Sequence, residues 1–257
     1  MGPVLGAQNP KVVELRRRLR RRNSRSDQVV IEGPRTVLEL LAAGHVPETV
    51  VVPESSVDDP TVVEVRNRLE PQVTLLVVRD RVFDQLAPSP SPQPMLALVP
   101  RPQPVLPALT PQSVVLVLVE VADPGNLGTL VRSADAAAAD AVVLVGGADP
   151  WNPKAVRSAA GSMFRVPVVV RPSLADAVDE LRAEGVRIVG TDVRAGQPHN
   201  QGVVTPPVAI VLGSEAHGLD SELDVDDWAH IAMPGATESL NVAMAGTLLL
   251  FETRRST

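Results

Sequence analysis

Cysteine is absent from the 257 residues of this chain. That excludes a disulfide framework and any thiolate metal site. Histidine is scarce: His45, His199, His217 and His230 are scattered, and no two stand at the short-range spacing of metal ligands. No metal is therefore expected. Long apolar runs are missing too, and no segment approaches the roughly 20 apolar residues that a membrane span needs. The first apolar residues are few and run into arginines, so no cleavable signal is predicted. These absences point to a soluble cytoplasmic protein, long enough for one large domain or two small ones.

A surplus of positive charge is also lacking. The net charge of −6 argues at first against a nucleic-acid partner. Its distribution reverses that. The first 35 residues carry nine Lys/Arg against three Asp/Glu, a net +6, and the rest carry fifteen against twenty-seven, a net −12. This asymmetry suggests a basic N-terminal arm over residues 1–26 on an acidic body. Arg16, Arg17, Arg18, Arg20, Arg21, Arg22 and Arg25 are numerous enough to neutralise several phosphates. The same run also fits a solvated, charged helix face.

Apolar periodicity predicts a short helix over residues 10–22, then strands at 29–31, 50–52 and 73–78 and helices at 36–43 and 61–69. That alternation describes a small α/β domain. Proline then recurs through residues 88–111, which excludes a helix or central strand across Pro88–Pro94. Met95–Val99 is predicted as one edge strand, and residues 100–112 as a stiff Pro-rich linker. Beyond it, apolar runs at 114–119, 141–145, 166–170, 187–190 and 208–212 suit parallel strands covered on both faces. Helices are predicted at 127–139, 153–160, 174–184 and 240–254. The dinucleotide fingerprint Gly-x-Gly-x-x-Gly is missing after the first of these strands, where Glu120-Val-Ala-Asp-Pro-Gly stands instead. A nicotinamide enzyme and a Rossmann-type methyltransferase are therefore disfavoured.

Three stretches of this second half are dense in Gly, Pro, Asn and Ser next to apolar runs. They are Asp123–Ala134 (DPGNLGTLVRSA), Val211–Leu219 (VLGSEAHGL) and Ile231–Val242 (IAMPGATESLNV). The first is a turn at the C-terminal end of a strand, where open α/β sheets bind ligands. In the second, glycines flanking a polar tetrad permit close approach of backbone to a flat ligand. On spacing alone, Arg132 is as well explained by a surface ion pair with Asp135 or Asp140. Glu215 is equally explained as a first-turn helix acid.

Together and in this order, the three stretches resemble the SpoU/TrmH family of the SPOUT superfamily. Its members transfer a methyl group from S-adenosylmethionine to a ribose 2′-hydroxyl of RNA. The motif Asn-x-Gly-x-x-x-Arg-[Ser/Thr]-Ala stands here as Asn126, Gly128, Arg132, Ser133 and Ala134, and Gly-x-Glu-x-x-Gly as Gly213, Glu215 and Gly218. The resemblance implies catalytic roles for Arg132, Asn126, Glu215, Ser239 and Asn241. It implies cofactor contacts from Leu212, Gly213, Gly218, Ile231, Met233 and Leu240. Ala232 departs from the family's usual proline, which costs stiffness but no chemical group. A looser match over Lys154, Arg157, Ser158, Gly161 and Ser162 makes Arg157 a candidate RNA contact, beside Arg16, Arg17, Arg20 and Arg21 of the arm.

The implied fold is α/β. A SPOUT methyltransferase domain over residues 113–257, with a parallel sheet and a deep trefoil knot, follows a small L30e-like RNA substrate-binding domain over residues 27–99. Val30-Ile31-Glu32-Gly33 matches the entry strand of that smaller domain. The resemblance also implies a homodimer through the C-terminal domain. Arginine is a poor general base because it is almost permanently charged. Arg132 is therefore read as an electrostatic group that holds a phosphate and stabilises charge on the 2′-oxygen. The expected activity is S-adenosylmethionine-dependent ribose methylation of RNA, with ribosomal RNA preferred because relatives acting on it commonly carry the L30e-like domain. A transfer-RNA 2′-O-methyltransferase and a non-catalytic RNA-binding or ribosome-assembly factor are the alternatives. A housekeeping and an antibiotic-resistance role both fit the sequence.

Overall fold

The structure, a computed structural model, describes residues 2–20 and 27–255. The chain forms two compact units. The first holds the residues up to Pro102 together with Trp151–Arg157, the second Gln103–Pro150 and the residues from Ser158 onward. Among the described residues no helix is long and apolar enough to cross a membrane.

The first unit contains α1 (Pro10–Arg20), β1 (Gln28–Glu32), α2 (Pro34–Ala42), β2 (Thr49–Pro53), α3 (Pro60–Arg68), β3 (Thr74–Val78), α4 (Asp80–Leu86) and β4 (Leu96–Pro100). Gly33 at φ 97° makes the sharp turn from β1 into α2, a conformation open to glycine. Pro34 and Pro60 open α2 and α3 at positions whose N–H has no helical partner. Asp59 caps α3, its Oδ1 accepting from Thr61 N at 2.8 Å and Val62 N at 3.2 Å. The helix α4 escapes a periodicity argument because it is only seven residues long, yet it buries Val82, Phe83 and Leu86.

Two expectations are corrected here. The strand after the prolines is interior, not an edge. The sheet order is β1-β4-β2-β3, and β4 runs antiparallel to both neighbours. Its residues Leu96–Val99 are all buried, and its only proline, Pro100, lies past the last pair with β2, Thr49–Leu98. Residues 2–20 are not a detached arm. Val12 and Leu15 are buried against Val30, Val51, Leu76, Phe83 and Leu98, and Leu5 N donates to Val77 O at 2.8 Å. The apolar stripe of α1 thus belongs to the core of this unit, which leaves the arginines around its rim. Arg21, Arg22 and Arg25 lie outside the described residues.

The second unit contains β5 (Val114–Val119), α5 (Pro124–Ala136), β6 (Ala141–Val145), α6 (Pro153–Ala159), β7 (Val168–Arg171), α7 (Leu174–Ala183), β8 (Arg187–Thr191), β9 (Gln197–Pro198), β10 (Val208–Leu212), β11 (Asp227–His230) and α8 (Val242–Glu252). The start of α6 groups with the first unit. The seven strands are ordered β7-β6-β5-β10-β8-β11-β9, and every pairing is parallel. Central β5 and β10 are buried almost throughout, as continuous apolar strands must be when both faces are covered. Ala177, Val178 and Leu181 of α7 pack on Val143, Ile188 and Val211. Burying each such Val, Leu or Ile side chain contributes about 1.5–3 kcal/mol. The expected linker is only partly free, since Leu106 and Leu109 pack on the same cluster.

Strands β9 and β11 have no legible pattern, because β9 is two residues long and Asp-Trp-Ala-His does not alternate. Glycine seats them. A Cβ at Gly190 would lie 2.9 Å from Trp228 Cε3, and one at Gly196 would lie 2.0 Å from Trp228 O. On α8, a Cβ at Gly246 would meet Leu130 Cδ2 at 2.4 Å and Leu212 Cδ1 at 2.6 Å. That close approach sets α8 against both α5 and β10, and Ser133 Oγ and Thr247 Oγ1 bond across it at 2.7 Å.

Candidate active site

The loops that follow β5, β8, β10 and β11 all leave the carboxyl ends of parallel strands, where open α/β sheets collect ligands. The first begins with Asp123, whose Oδ1 accepts from Gly125 N at 2.7 Å and Asn126 N at 3.0 Å. With Pro124 behind this cap, α5 starts three residues earlier than its apolar pattern suggests. Asn126 therefore sits in the first helical turn. The final helix starts later than expected, because Asn241 caps it by accepting from Ala243 N at 2.9 Å. Ser239 and Leu240 stay in the loop.

A chain of side chains joins the three motifs. Asn126 Nδ2 donates to Glu215 Oε1 at 2.9 Å, and Asn241 Nδ2 donates to Asn126 Oδ1 at 3.2 Å. The other Glu215 oxygen accepts from Ala122 N at 3.3 Å. Burial works against ionisation of Glu215. Hydrogen bonds from Asn126 and from the backbone N–H groups of Glu215, Ala122 and Asp123 outweigh it and hold the carboxyl below its usual range.

A cavity of about 350 Å³ lies behind this chain. Leu212, Gly213, Gly218, Ile231, Met233 and Leu240 all line it, and so do Glu215 and Ser239. Its size and its apolar walls with a few polar groups suit a small ligand. Gly213 is indispensable to its shape: a Cβ there would lie 2.1 Å from the carbonyl carbon of Gly218. Thr191, Asp192 and Val193 line the same cavity and were not singled out from the sequence. Their signal was positional, since they end β8 beside β10. Asp192 Oδ1 accepts from Ala195 N and Arg194 N, each at 2.7 Å, and these two bonds lower its pKa. The wall therefore carries a fixed negative charge suited to a cationic ligand. S-adenosylmethionine, with its sulfonium and ammonium groups, would suit such a cavity.

A second, open cleft of about 1050 Å³ shares the loop Ser214–Gly218 with the first. Asn126 and Asn241 face it, together with Glu120 and Asp123. Asn126, Glu215 and Asn241 are thus brought together at the edge of the two spaces, while Ser239 lines only the first. Arg132 lies elsewhere. It is exposed in the middle of α5, lines neither cavity, and has no hydrogen bond or ion pair among the described residues. The surface-pair explanation for Arg132 does not hold. Asp135 bonds Arg165 Nη2 and Ser162 Oγ, each at 2.7 Å, and Asp140 Oδ2 accepts from Val114 N at 2.8 Å.

Of the expected RNA-contacting arginines, Arg16, Arg17, Arg20 and Arg157 lie in the first unit. Arg16 Nη2 donates to Gln85 Oε1 at 3.1 Å, Arg17 pairs with Glu14 at 2.9 Å, and Arg20 closes α1. Arg21 is outside the described residues. Arg157 is half exposed, its Nη1 3.9 Å from Glu32 Oε1. Among the described residues no group of three or more His, Asp or Glu side chains is placed to hold a metal ion.

Residues 113–251 match the SpoU rRNA Methylase family, and residues 9–97 match the MRM3-like substrate binding domain. A Bacillus subtilis relative, the 23S rRNA (guanosine(2553)-2′-O)-methyltransferase RlmP, is 33% identical over 99% of this chain and 100% of its own length. Among solved structures, an AdoMet-bound rRNA methyltransferase from Sinorhizobium meliloti is 30% identical, covers 99% of each chain and superposes with a TM-score of 0.84. The SpoU methyltransferase AviRb from Streptomyces viridochromogenes, in complex with AdoMet, is 25% identical over 97% of this chain and 98% of its own, with a TM-score of 0.87. With both segments matched and the whole chain aligned to a relative of the same length, this protein belongs to the SpoU rRNA methylase family.

Proposed function

We propose that the protein methylates a ribose 2′-hydroxyl of ribosomal RNA, with S-adenosylmethionine as methyl donor and without a metal ion. The observation that carries this is the loop Ser214–Gly218, which lines both a smaller cavity and a larger, more open cleft. One side suits a small cationic cofactor, the other a nucleotide. When bound, the cofactor would supply an electrophilic methyl group on its sulfonium, the sulfur–methyl bond giving way to a bond with the ribose 2′-oxygen and S-adenosylhomocysteine leaving as the neutral thioether. Leu212, Gly213, Gly218, Ile231, Met233 and Leu240 hold the cofactor, the backbone coming close because Gly213 has no side chain.

Asn126 and Asn241 present polar groups to the cleft and orient the ribose, and Ser239 presents its own from the cofactor side. Glu215 is engaged by Asn126 and the backbone and is held ionised, so its role is to position Asn126 rather than to take the proton. Arg132 is charged and, among the described residues, unpaired, but it lines neither cavity of its own chain. Its role, to hold the phosphate beside the target ribose and stabilise negative charge growing on the 2′-oxygen, therefore requires that it serve the site of the partner chain in the homodimer proposed below. A phosphate oxygen or water then receives the proton.

Residues 27–99, extended by α1, serve as an L30e-like RNA-binding domain, residues 100–112 as the connection and residues 113–257 as the catalytic SPOUT domain. The catalytic domain is assigned a trefoil knot. That is supported by the order β5-β10-β8-β11, in which the chain returns between strands already laid down. Met244, Leu248 and Phe251, exposed by 62%, 46% and 48%, form a one-sided apolar stripe on α8 that supports a homodimer through this domain. Transfer of label from methyl-tritiated S-adenosylmethionine to unmodified ribosomal RNA, with transfer RNA as the comparison, tests the function. Label in ribosomal RNA is expected. RNA binding without label would leave only a non-catalytic role.

A further inference from the structure

Glu120 stands out in the open cleft. It is a non-glycine residue at φ 54°, in the left-handed region that L side chains rarely adopt. Such conformations persist where the surrounding structure enforces them, and they cluster at functional sites. Here the enforcement is visible: Glu120 N donates to Val145 O at 2.9 Å, pinning the turn after β5 to the end of β6. Space is reserved for the side chain as well, since a Cβ at Gly146 would fall 2.0 Å from Glu120 Oε1.

The carboxylate is exposed, lines the cleft beside Asn126 and Asn241, and has no hydrogen bond or ion pair among the described residues. The other two carboxylates of the cleft are engaged, Asp123 as a helix cap and Glu215 with Asn126. A free carboxylate repels the phosphates of an RNA strand, so its place in this cleft calls for a group that donates to it.

We propose that Glu120 reads the base of the target nucleotide and that this base is guanine. The inference rests on the methyltransferase function proposed above. Guanine presents two adjacent donors, N1–H and the 2-amino group, on its Watson–Crick edge. A carboxylate accepts both in a bidentate, charge-assisted pair. Cytosine and adenine offer one amino donor next to a ring acceptor, which the second carboxylate oxygen would oppose. Uracil flanks its single N–H with two carbonyl oxygens. An enzyme acting on an unstacked nucleotide reads that edge directly.

The test uses the full chain, unmodified ribosomal RNA transcripts and labelled S-adenosylmethionine, with digestion to nucleosides and identification of the methylated product by mass spectrometry. The expected product is 2′-O-methylguanosine. A synthetic RNA spanning the mapped site is then assayed with guanosine or inosine at the target, inosine lacking the 2-amino group. Wild type should lose roughly ten- to hundred-fold in kcat/KM with inosine, which keeps N1–H and so forfeits one hydrogen bond to a charged group. Glu120→Gln should lose a similar factor with guanosine and nothing further with inosine, while its melting temperature and affinity for S-adenosylhomocysteine stay at the wild-type values. A methylated uridine, cytidine or adenosine, or a Glu120→Gln variant as active as wild type on guanosine, overturns the assignment and leaves the methyltransferase function standing. Absence of methyl transfer to any ribosomal RNA overturns both.

Discussion

Asn126 and Glu215 are 89 positions apart in sequence and are joined by a 2.9 Å hydrogen bond from Nδ2 to Oε1. The bond ties the loop after β5 to the loop after β10, and Asn241 extends it to the cap of α8. Its strength depends on the charge of Glu215, whose carboxyl is held below its usual range against the cost of burial. With the folded pKa below the unfolded one, the contribution to stability is complete above the ordinary carboxylate pKa. It is lost as pH falls through the folded value. Glu215→Gln should therefore melt below wild type at neutral pH, and the gap should close on acidification below about pH 4. Melting curves across pH check this. A gap that stays constant would mean that the charge is not what holds the loop.

Arg132→Ala should cut methyl transfer by about a hundred- to a thousand-fold, the scale for removing one group that stabilises developing charge. Affinity for S-adenosylhomocysteine should be unchanged, because Arg132 lines neither cavity. Arg132→Lys keeps the charge but loses the planar fork, and should recover only part of the rate. Calorimetric titration beside a transfer assay separates the two effects. Parallel loss of binding and rate in Arg132→Ala would place the arginine in the cofactor site instead.

Gly213→Ala and Gly235→Ala form a matched pair in two of the site loops. A Cβ at Gly213 collides with the backbone of Gly218 at 2.1 Å, whereas one at Gly235 meets nothing within 4 Å. Backbone cannot yield as a flexible side chain can. Gly213→Ala should weaken S-adenosylhomocysteine binding at least about ten-fold, a loss of about 1.4 kcal/mol. Gly235→Ala should bind as wild type does. Equal affinities would show that the Gly213–Gly218 approach does not shape the cavity.

The stripe Met244, Leu248 and Phe251 recurs at helical spacing on α8, and all three side chains are exposed within one chain. Leu248→Glu puts a charge at its centre, and burying an unpaired charge in an apolar contact is costly. Wild type should run as a dimer in light scattering at micromolar concentration, and Leu248→Glu as a monomer of unchanged helix content. A wild-type monomer would remove the homodimer from the proposed function.

Much of the fold was legible because both sheets are built from apolar runs. The strands at 114–119, 141–145 and 208–212 coincide with β5, β6 and β10, since parallel strands buried on both faces need uninterrupted Val, Leu and Ile. Polar or very short elements were not legible. The strands β9 and β11 owe their place to room left by Gly190 and Gly196 for Trp228, a tertiary fact without local periodicity. Proline misled the assignment of β4, whose tolerance of Pro100 depends on where the ladder with β2 ends. The site motifs were legible as turn chemistry. The lining residues Thr191 and Asp192 were not, because they become neighbours of Leu212 only through the crossover that sets β8 beside β10.

The basic N-terminal segment requires a different experiment from simple removal. Val12 and Leu15 are buried in the core of the first unit, so deleting residues 1–26 exposes that core and should lower the melting temperature whatever the arginines do. Replacing Arg16, Arg17, Arg20 and Arg21 by alanine removes four charges and keeps the apolar stripe. If these side chains meet phosphates, the salt dependence of binding to a ribosomal-RNA fragment should flatten by about three units of slope, at about 0.7–0.9 per contact. The melting temperature should stay close to wild type, since an exposed pair such as Arg17–Glu14 contributes at most about 1 kcal/mol. Affinities across a salt series decide the matter. An unchanged slope would mean that these four arginines do not meet phosphates and would leave phosphate recognition to Arg132 and Arg157.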